Sequence, residues 1–486
     1  MATQNEFQRL ASPNEQRTIS REDLGLYHAV IVGVVYKLSE GLDVTSTSTH
    51  FQPLRHCVDR NPYLSVVTKG NDTDKAYYER VPSVDLSQHI QIIQNTSADS
   101  DDLSAMQKVI TSDLDRPFPP GIPPWRTLIL PLSNQRLFLA FAFSHSIGDG
   151  TTGLIFHRTF LEGLSLTNLS PHPSPNLVSI PSHPLPASFD TPTTLPISYR
   201  FLLSTILTPL LPTSLTSLLN LSTTDPTPTT WTGGPHPLTP PHSHHSKAHL
   251  FTLPPATLAA ALHECRAHTT TLTALLTHLI ARSIASSLPP ATQATDLISE
   301  TAINLRRAAG VSSTEAGNFV SVVAERHPCG AFPQGDDAGA VGMTEAEWEK
   351  VKGTSKALAE KAGTLRDQAV GLLRYVSSVR KWVGEKLGQK RGVSFEVSNL
   401  GVFDAGVEEK GKGQAGIEEV VFAQPGMVVG AALAFNLVSV KGGGLVGSVT
   451  WSEGALGLEK DEGEAEFVRR VCEGVRRGLE EVGSGQ

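Results

Sequence analysis

The chain has 486 residues, more than a single hydrophobic core usually organises, so we expect two domains. Its net charge is −8 and no basic stripe occurs, which argues against nucleic acid as a general partner. The four cysteines are widely spaced without a C-x-x-C pair, which favours reduced thiols over a disulfide framework or a zinc site. Residues 1–21 lack the apolar stretch of a secretory signal, so we expect a cytoplasmic protein.

The spacing of apolar residues predicts a first region of alternating helices and strands. In chain order these are a helix at 21–39, a helix at 46–60, a strand at 63–67, a helix at 101–114, paired strands at 125–132 and 136–143, and a helix at 151–164. The run 137–143 is wholly apolar, which is typical of a strand buried on both faces. Thr151 or Thr152 is the expected N-cap of the helix that follows.

The composition changes between residues 165 and 247, where Pro, Ser and Thr dominate and only four residues are charged. This stretch is too long for an ordinary loop, and we interpret it as a crossover between domains with some helix around 198–221. Prolines and hydroxyl residues interrupt the apolar run 201–221, so packing on the protein body is favoured over membrane contact. The histidines near its end lack ligand spacing and indicate a polar loop rather than a metal site; they are His236, His242, His244, His245 and His249.

A second region of helices and strands is predicted from residue 248 onward. It comprises a strand at 249–253, helices at 256–267 and 270–287, strands at 299–305 and 319–325, mostly helix over 344–388, strands at 393–397 and 420–423, a hairpin of 431–440 with 445–451, and a helix at 461–482. A mobile loop is expected at 405–416. The two regions together predict an α/β (α+β) protein of two similar domains.

The run Phe-Ser-His-Ser-Ile-Gly-Asp-Gly at 143–150 contains the pattern His-x-x-x-Asp-Gly. His145 stands where a buried strand gives way to a turn before a helix. Imidazole has a pKa near 6.5, so a histidine fixed in such a turn can act as a general base at neutral pH. We expect Gly148 and Gly150 to adopt backbone angles that other residues resist.

Other roles for this motif remain open at this point. A metal site of His145, Asp149 and His157 is disfavoured, because a strand followed by a turn does not place residues four apart on the same side. A further alternative is that His145 is a structural histidine, hydrogen-bonded in the core. Asp149 either orients His145, as in a catalytic triad, or stabilises the turn by pairing with an arginine. We prefer the second role. Ser144 and Ser146 are poorly placed as nucleophiles beside His145, so direct transfer without an acyl-enzyme is favoured.

The segment 141–150 resembles the His-x-x-x-Asp-Gly segment of the CoA-dependent acyltransferase superfamily, which includes the plant BAHD enzymes and the condensation domains of peptide synthetases. Ser144 replaces the second histidine of condensation domains, and the Asp-Phe-Gly-Trp-Gly segment of the plant enzymes is missing. Further segments, in the expected order, are similar to the fungal alcohol acetyltransferase family. They are 24–28, 60–65, 231–233, 304–307, 316–319 and 398–401.

This resemblance implies two chloramphenicol-acetyltransferase-like domains joined by a long crossover, with an active-site tunnel between them. On this chain the N-terminal domain would be 1–175, the crossover 176–247 and the C-terminal domain 248–486. CoA would enter the tunnel from one face and the acceptor from the other.

The resemblance also implies roles for individual residues. His145 would be the general base, whereas Asp149 and Gly150 would be structural. The matching arginine is Arg306, which would pair with Asp149 unless it is a solvated charge at a strand end.

Three more residues fall near the implied tunnel. Ser398 and Asn399 would contact CoA or the developing oxyanion, although Ser-Asn-Leu-Gly also suits a simple turn. His28 either lines the tunnel or is a core histidine on the first helix.

We therefore expect an acyl-CoA-dependent O-acyltransferase, a monomer that uses acetyl-CoA as co-substrate and binds no metal or redox cofactor. The expected acceptor is a hydroxyl of a small or mid-sized apolar molecule, as in ester biosynthesis or secondary metabolism. The alternatives are an amine acceptor, transfer that depends on a carrier protein, hydrolysis of acyl-CoA, and a catalytically silent binding protein.

Overall fold

The computed structural model describes residues 5–38, 43–94, 101–167, 175–180, 184–207, 224–241, 245–289, 292–332, 342–404, 415–458 and 463–484. Its first half contains β1 (Glu6–Leu10), α1 (Pro13–Asp23), β2 (Ala29–Leu38), α2 (Phe51–Arg60), β3 (Val66–Lys69), β4 (Tyr77–Arg80), β5 (Ser83–Asp85), β6 (Ile90–Ile92), α3 (Asp102–Asp113), β7 (Trp125–Leu132), β8 (Arg136–Ser144), α4 (Gly150–Thr167) and β9 (Leu177–Ser179).

The second half contains α5 (Tyr199–Leu207), β10 (Thr230–Trp231), β11 (Ser246–Leu253), α6 (Pro255–Ala267), α7 (Leu272–Ser287), β12 (Asp296–Asn304), α8 (Arg306–Ala309), β13 (Val320–Pro328), α9 (Glu345–Ala362), α10 (Val379–Gly384), β14 (Phe395–Phe403), β15 (Ala415–Ala423), β16 (Leu433–Val440), β17 (Leu445–Ser452) and α11 (Glu464–Ser484).

Two sheets organise these elements. The first has the order β15-β2-β8-β7-β6, and the second has the order β10-β12-β14-β16-β17-β11 with β13 paired to β12. Strand β15 comes late in the chain but pairs antiparallel with β2 of the first sheet. The two halves are therefore joined through a shared sheet as well as through the crossover.

Strand β2 is an interior strand of the first sheet, between β15 and β8, and is buried on both faces. Val32, Val34 and Tyr36 belong to the core that includes α2 and α4, while Ile31 and Val35 pack in the core that includes α3. A strand covered on both faces reads as a continuous apolar run, and such a run can match helical spacing by chance.

The prediction of one helix over 21–39 is wrong for this reason. The helix of this region is α1, which begins earlier at a capping box formed by Ser12 and Glu15, with Pro13 in its first turn. It ends at Asp23, and residues 29–38 form β2.

Most other predicted elements are confirmed. The hairpin of 431–440 with 445–451 is β16 and β17, and the paired strands 125–132 and 136–143 are β7 and β8. The predicted strand 63–67 is wrong in its first half, since residues 62–65 form a 3₁₀ turn before β3. Within 344–388, a 3₁₀ segment at 369–375 separates α9 from α10.

Several predictions concern residues at the edge of the described part. Helix α5 covers the start of the helix expected around 198–221, and residues 208–223 lie outside the described residues. Residues 405–414 of the expected loop also lie outside the described residues, and the last two residues of that loop begin β15.

Of the described helices, none combines the length and the apolar character that crossing a membrane requires. All four cysteines are buried, and none of them forms a disulfide.

We expect Gly33→Ala to destabilise the protein by about 1–3 kcal/mol through overpacking. A Cβ at Gly33 would overlap the ring of Phe138, which is completely buried beside the central strand and has no room to move. Gly416→Ala on the adjacent β15 is the matched control, because nothing lies within 4 Å of the added Cβ. The measurement is the free energy of unfolding in urea, and equal stability of the two variants would contradict the packing argument.

Candidate active site

The turn between β8 and α4 carries the His-x-x-x-Asp-Gly motif and is packed too tightly for larger residues. Neither Gly148 nor Gly150 has a positive φ angle, so the expectation of unusual backbone angles is wrong. A Cβ on Gly150 would lie 2.7 Å from Leu400 and 3.1 Å from Phe422. A Cβ on Gly148 would overlap the side chain of Thr152. Both glycines are therefore required for space rather than for conformation.

Asp149, rather than Thr151 or Thr152, caps helix α4. Its Oδ1 accepts a hydrogen bond from the backbone N–H of Thr152 at 3.2 Å, the usual pattern of an N-cap. The Thr152 hydroxyl instead bonds the backbone of Gly317 at 3.2 Å. The prediction of a threonine cap is wrong, because the carboxylate stands one position before the first helical residue.

The Asp149 carboxylate is held by Arg306 in a bidentate pair. Arg306 Nη1 donates to Oδ2 at 2.7 Å and Nη2 donates to Oδ1 at 2.9 Å, with both side chains almost completely buried. The backbone N–H of Phe319 donates to Oδ2 at 3.0 Å. Arg306 also donates to the carbonyls of Glu315 and Gly317, both at 3.0 Å. These bonds occupy the carboxylate and join the motif turn to the segments that follow β12 and precede β13.

His145 lies deep in the protein, yet part of its side chain remains accessible. A group that is surrounded by protein and still partly accessible borders a cavity or a cleft. The side-chain amide of Asn318 is 3.3 Å from Nδ1, and the ring of Tyr27 is 5.9 Å away between centroids. Burial, and then the charges of Arg17 and Arg21, lower the pKa of His145 from 6.5 to about 4. The imidazole is therefore neutral at pH 7.

The two serines beside His145 form a separate buried network. The Ser144 hydroxyl donates to the carboxylate of Glu22 on α1, and Ser144 and Ser146 lie 2.7 Å apart between their oxygens. Burial raises the pKa of Glu22 to about 7. The serine hydroxyls are thus engaged with Glu22 and with each other.

The structure adds five charged residues that the sequence analysis missed. Glu300 on β12 and Glu396 on β14 are neighbours in the parallel pairing of the second sheet, and each is surrounded by protein but partly accessible. Arg17 and Arg21 on α1 and Lys386 after α10 share this surrounded but accessible character. Two features of the sequence could have indicated these residues. Each of the two apolar strands contains one glutamate, and the two arginines are four residues apart, as on one side of a helix.

The residues predicted to lie near the tunnel have different positions. Ser398 is buried and lies on the same face of β14 as Glu396, opposite Asn436 of β16. Asn399 faces the other way and donates to the hydroxyl of Thr273 on α7 at 3.0 Å. His28 lies between α1 and β2 instead of on a helix, and its side chain is partly exposed.

The other histidines considered above have structural contacts. His157 is fully buried, with Nδ1 2.9 Å from the Tyr36 hydroxyl and Nε2 2.8 Å from the carbonyl of Val32. His236 bonds the carbonyl of Lys386 and the N–H of Gly430. His242 and His244 lie outside the described residues. Within the described part of the chain, no group of three or more His, Cys, Asp or Glu is arranged to hold a metal ion.

Comparison with known sequences shows a consistent set of relatives. The sequence profile described as alcohol acetyltransferase matches residues 89–469. A probable alcohol acetyltransferase of Aspergillus fumigatus, crmB, is 23% identical over 504 residues, covering 97% of this chain and 99% of that protein. A second, FCK4 of Fusarium pseudograminearum, is 27% identical over 419 residues, covering 83% of this chain and 81% of that protein.

Solved structures show the same fold at low sequence identity. The trichothecene 15-O-acetyltransferase TRI3 of Fusarium sporotrichioides aligns with a TM-score of 0.65 and 11% identity, over 98% of this chain and 94% of its own. The first condensation domain of the CDA synthetase aligns with a TM-score of 0.61 and 13% identity, over 99% and 97%. These likenesses confirm the predicted fold class of two chloramphenicol-acetyltransferase-like halves.

We expect Arg306→Met to reduce the free energy of unfolding by about 3–5 kcal/mol, because the buried Asp149 carboxylate would lose its partner. Arg307→Met is the matched control, since the adjacent Arg307 is exposed. Adding Asp149→Leu to Arg306→Met should cost less than the sum of the single changes, which urea unfolding of all four variants would measure. Similar unfolding midpoints for Arg306→Met and Arg307→Met would contradict this assignment.

Proposed function

Because the chain belongs to the alcohol acetyltransferase family, we propose that it transfers the acetyl group of acetyl-CoA to an acceptor hydroxyl with His145 as the general base. The observation that carries this proposal is a neutral imidazole that lies deep in the protein at the end of β8 and remains partly accessible. A base that is already neutral at pH 7 can accept a proton without first losing one.

The chemistry follows from the groups around His145. In a neutral imidazole one ring nitrogen carries the proton and the other carries a lone pair. The proposed mechanism uses the tautomer with the proton on Nδ1 and the lone pair of Nε2 facing the acceptor. Nε2 takes the hydroxyl proton while the oxygen attacks the thioester carbon. The carbon–sulfur bond then breaks, and the imidazolium returns its proton to the sulfur. A thiol pKa near 8.5 makes the thiolate a good leaving group.

The position of Asp149 favours direct transfer with a single histidine over a triad. Both of its oxygens are occupied by Arg306, and the side chain beside Nδ1 of His145 is Asn318. The serine hydroxyls are bonded to Glu22 and to each other, so they offer His145 no nucleophile to activate. The acceptor oxygen itself is therefore the nucleophile in this mechanism.

His145→Ala should lower the acceptor-dependent release of free thiol from acetyl-CoA by ~10²–10⁴-fold, the usual contribution of a general base. The control is His263→Ala, whose imidazole is 77% exposed. The measurement is thiol release with and without a panel of alcohols and amines. A variant with the same rate as the wild type would refute the role of His145. Release that does not need an acceptor would identify a hydrolase instead.

The pH profile of kcat/KM gives an independent check. Because the neutral form of His145 is the active one and its pKa is lowered to about 4, activity should persist as the pH falls below 6.5 and should halve only near pH 4. A neutral alcohol serves as acceptor, and tryptophan fluorescence confirms that the protein stays folded.

Glu396 provides the control for this profile, since burial and the neighbouring Glu300 raise its pKa to about 7. Glu396→Gln should remove the contribution of this carboxyl to any inflection near pH 7, and Glu22→Gln should remove that of the other carboxyl whose pKa is raised to about 7. Both variants should keep the inflection near pH 4. An inflection near pH 6.5 that survives both substitutions would show that His145 titrates like a free histidine.

A further inference from the structure

We propose that Arg17 and Arg21 form an anion-binding site beside His145, and that the acceptor carries a carboxylate which this site holds. The inference rests on the proposed function, because it names the chemical class of the acceptor. It replaces the apolar acceptor expected from the sequence with a hydroxy acid.

The two arginines lie on one side of α1 and close to the proposed base. They are four residues apart, which places side chains one above the other on a helix. The Arg21 guanidinium lies 4.3 Å from the centre of the Tyr27 ring, which in turn lies 5.9 Å from the ring of His145. Arg21 Nη2 also approaches the sulfur of Met427 at 3.2 Å. The Arg21 guanidinium is therefore only one aromatic ring away from the reacting centre.

These arginines lack the carboxylate partner that buried arginines usually have. The Nε atoms of Arg17 and Arg21 are both buried without a hydrogen-bond partner, and neither arginine forms an ion pair with a carboxylate of the described residues. In the same protein, Arg126 and Arg306 each donate to a buried aspartate. Burial and the repulsion of Arg21 lower the pKa of Arg17 to about 10. Because a guanidinium group keeps its proton in proteins, the site holds two cations at neutral pH.

The carboxylates of the cavity do not replace a bound anion. Glu300 and Glu396 lie on the second sheet and form no ion pair with either arginine, and burial raises the pKa of both glutamates. Lys386 adds a third cation next to the arginines. The three cations outnumber the two carboxylates, and Glu396, whose pKa is raised to about 7, is partly protonated at neutral pH. The cavity therefore has an excess of positive charge. An anion placed against α1 would receive charge-assisted hydrogen bonds from guanidinium groups that now have open donors.

Two anions could reach such a site, the carboxylate of an acceptor and a phosphate of CoA. The phosphates are separated from the thioester by the whole pantetheine arm, whereas Arg21 and His145 both contact Tyr27. A group held by Arg21 is thus close to the reacting oxygen, which fits a carboxylate on the acceptor itself.

The test compares hydroxy acids with their methyl esters, which keep the hydroxyl and remove the charge. The probes are 3-hydroxybutyrate, mandelate and 12-hydroxydodecanoate, and calorimetry measures their binding to the wild type, to Arg17→Gln/Arg21→Gln and to the control Arg307→Gln. At least one acid should bind the wild type and the control ~10–100-fold more tightly than its ester, and this preference should disappear in the double variant. The double variant Arg17→Lys/Arg21→Lys keeps the positive charge and should retain part of the preference for the acid. It replaces the glutamine variant in the test if that variant does not fold.

Three results would overturn the inference. They are equal binding of every acid and its ester, a preference that survives loss of both arginines, and a loss of affinity in the double variant for CoA instead of the acids.

Thiol release separates this inference from the proposed function. If acids bind through the arginines but no acceptor yields His145-dependent release from acetyl-CoA, the anion site stands and the transferase proposal fails. If neutral alcohols are acetylated while the acids neither bind nor react, the transferase stands and the anion site is rejected.

Discussion

The pair of Asp149 and Arg306 is the interaction on which the geometry of the site depends. It connects the turn after β8, in the first sheet, with the end of β12 in the second. Arg306 also binds the carbonyls of Glu315 and Gly317, and Asp149 binds the N–H of Phe319. Asn318 lies between these last two anchors, so one buried ion pair fixes the base and also the amide that contacts its ring.

The same pair explains why a histidine next to an aspartate remains neutral. A carboxylate that faced His145 would stabilise the imidazolium and raise its pKa. Asp149 acts in that direction, but less strongly than burial and the two arginines of α1, and its carboxylate is paired with Arg306. Burial and the two arginines of α1 act in the opposite direction and prevail. The motif therefore separates the charge of Asp149 from the ring nitrogens of the proposed base, although the two residues are only four apart.

The sequence predicts those parts of the site that short-range patterns determine. A buried strand, a turn and a helix follow one another at 137–164, so the place of His145 in the fold could be foreseen. Strand β2 could not be foreseen, because burial on both faces removes the alternation of apolar and polar residues that identifies a strand. The two carboxylates are a different case. The sequence shows that Glu300 and Glu396 each lie within an apolar strand, but only the register of the sheet shows that they are neighbours. Similarly, the spacing of Arg17 and Arg21 does not show which cavity they face.

Fold alone does not decide the acceptor, since condensation domains and acetyltransferases share this architecture. The residues around His145 carry that information, and α1 supplies the two arginines among them. This helix is fixed at its start, where Asp190 accepts from the N–H of Asn14, and near its end, where Glu22 accepts from Ser144 beside His145. The distance between the arginines and the base is therefore set before any substrate arrives. Arginines that are already held in place lose little entropy when they bind an anion. The proposed anion-binding site therefore favours an acceptor whose charge lies at a fixed distance from its hydroxyl.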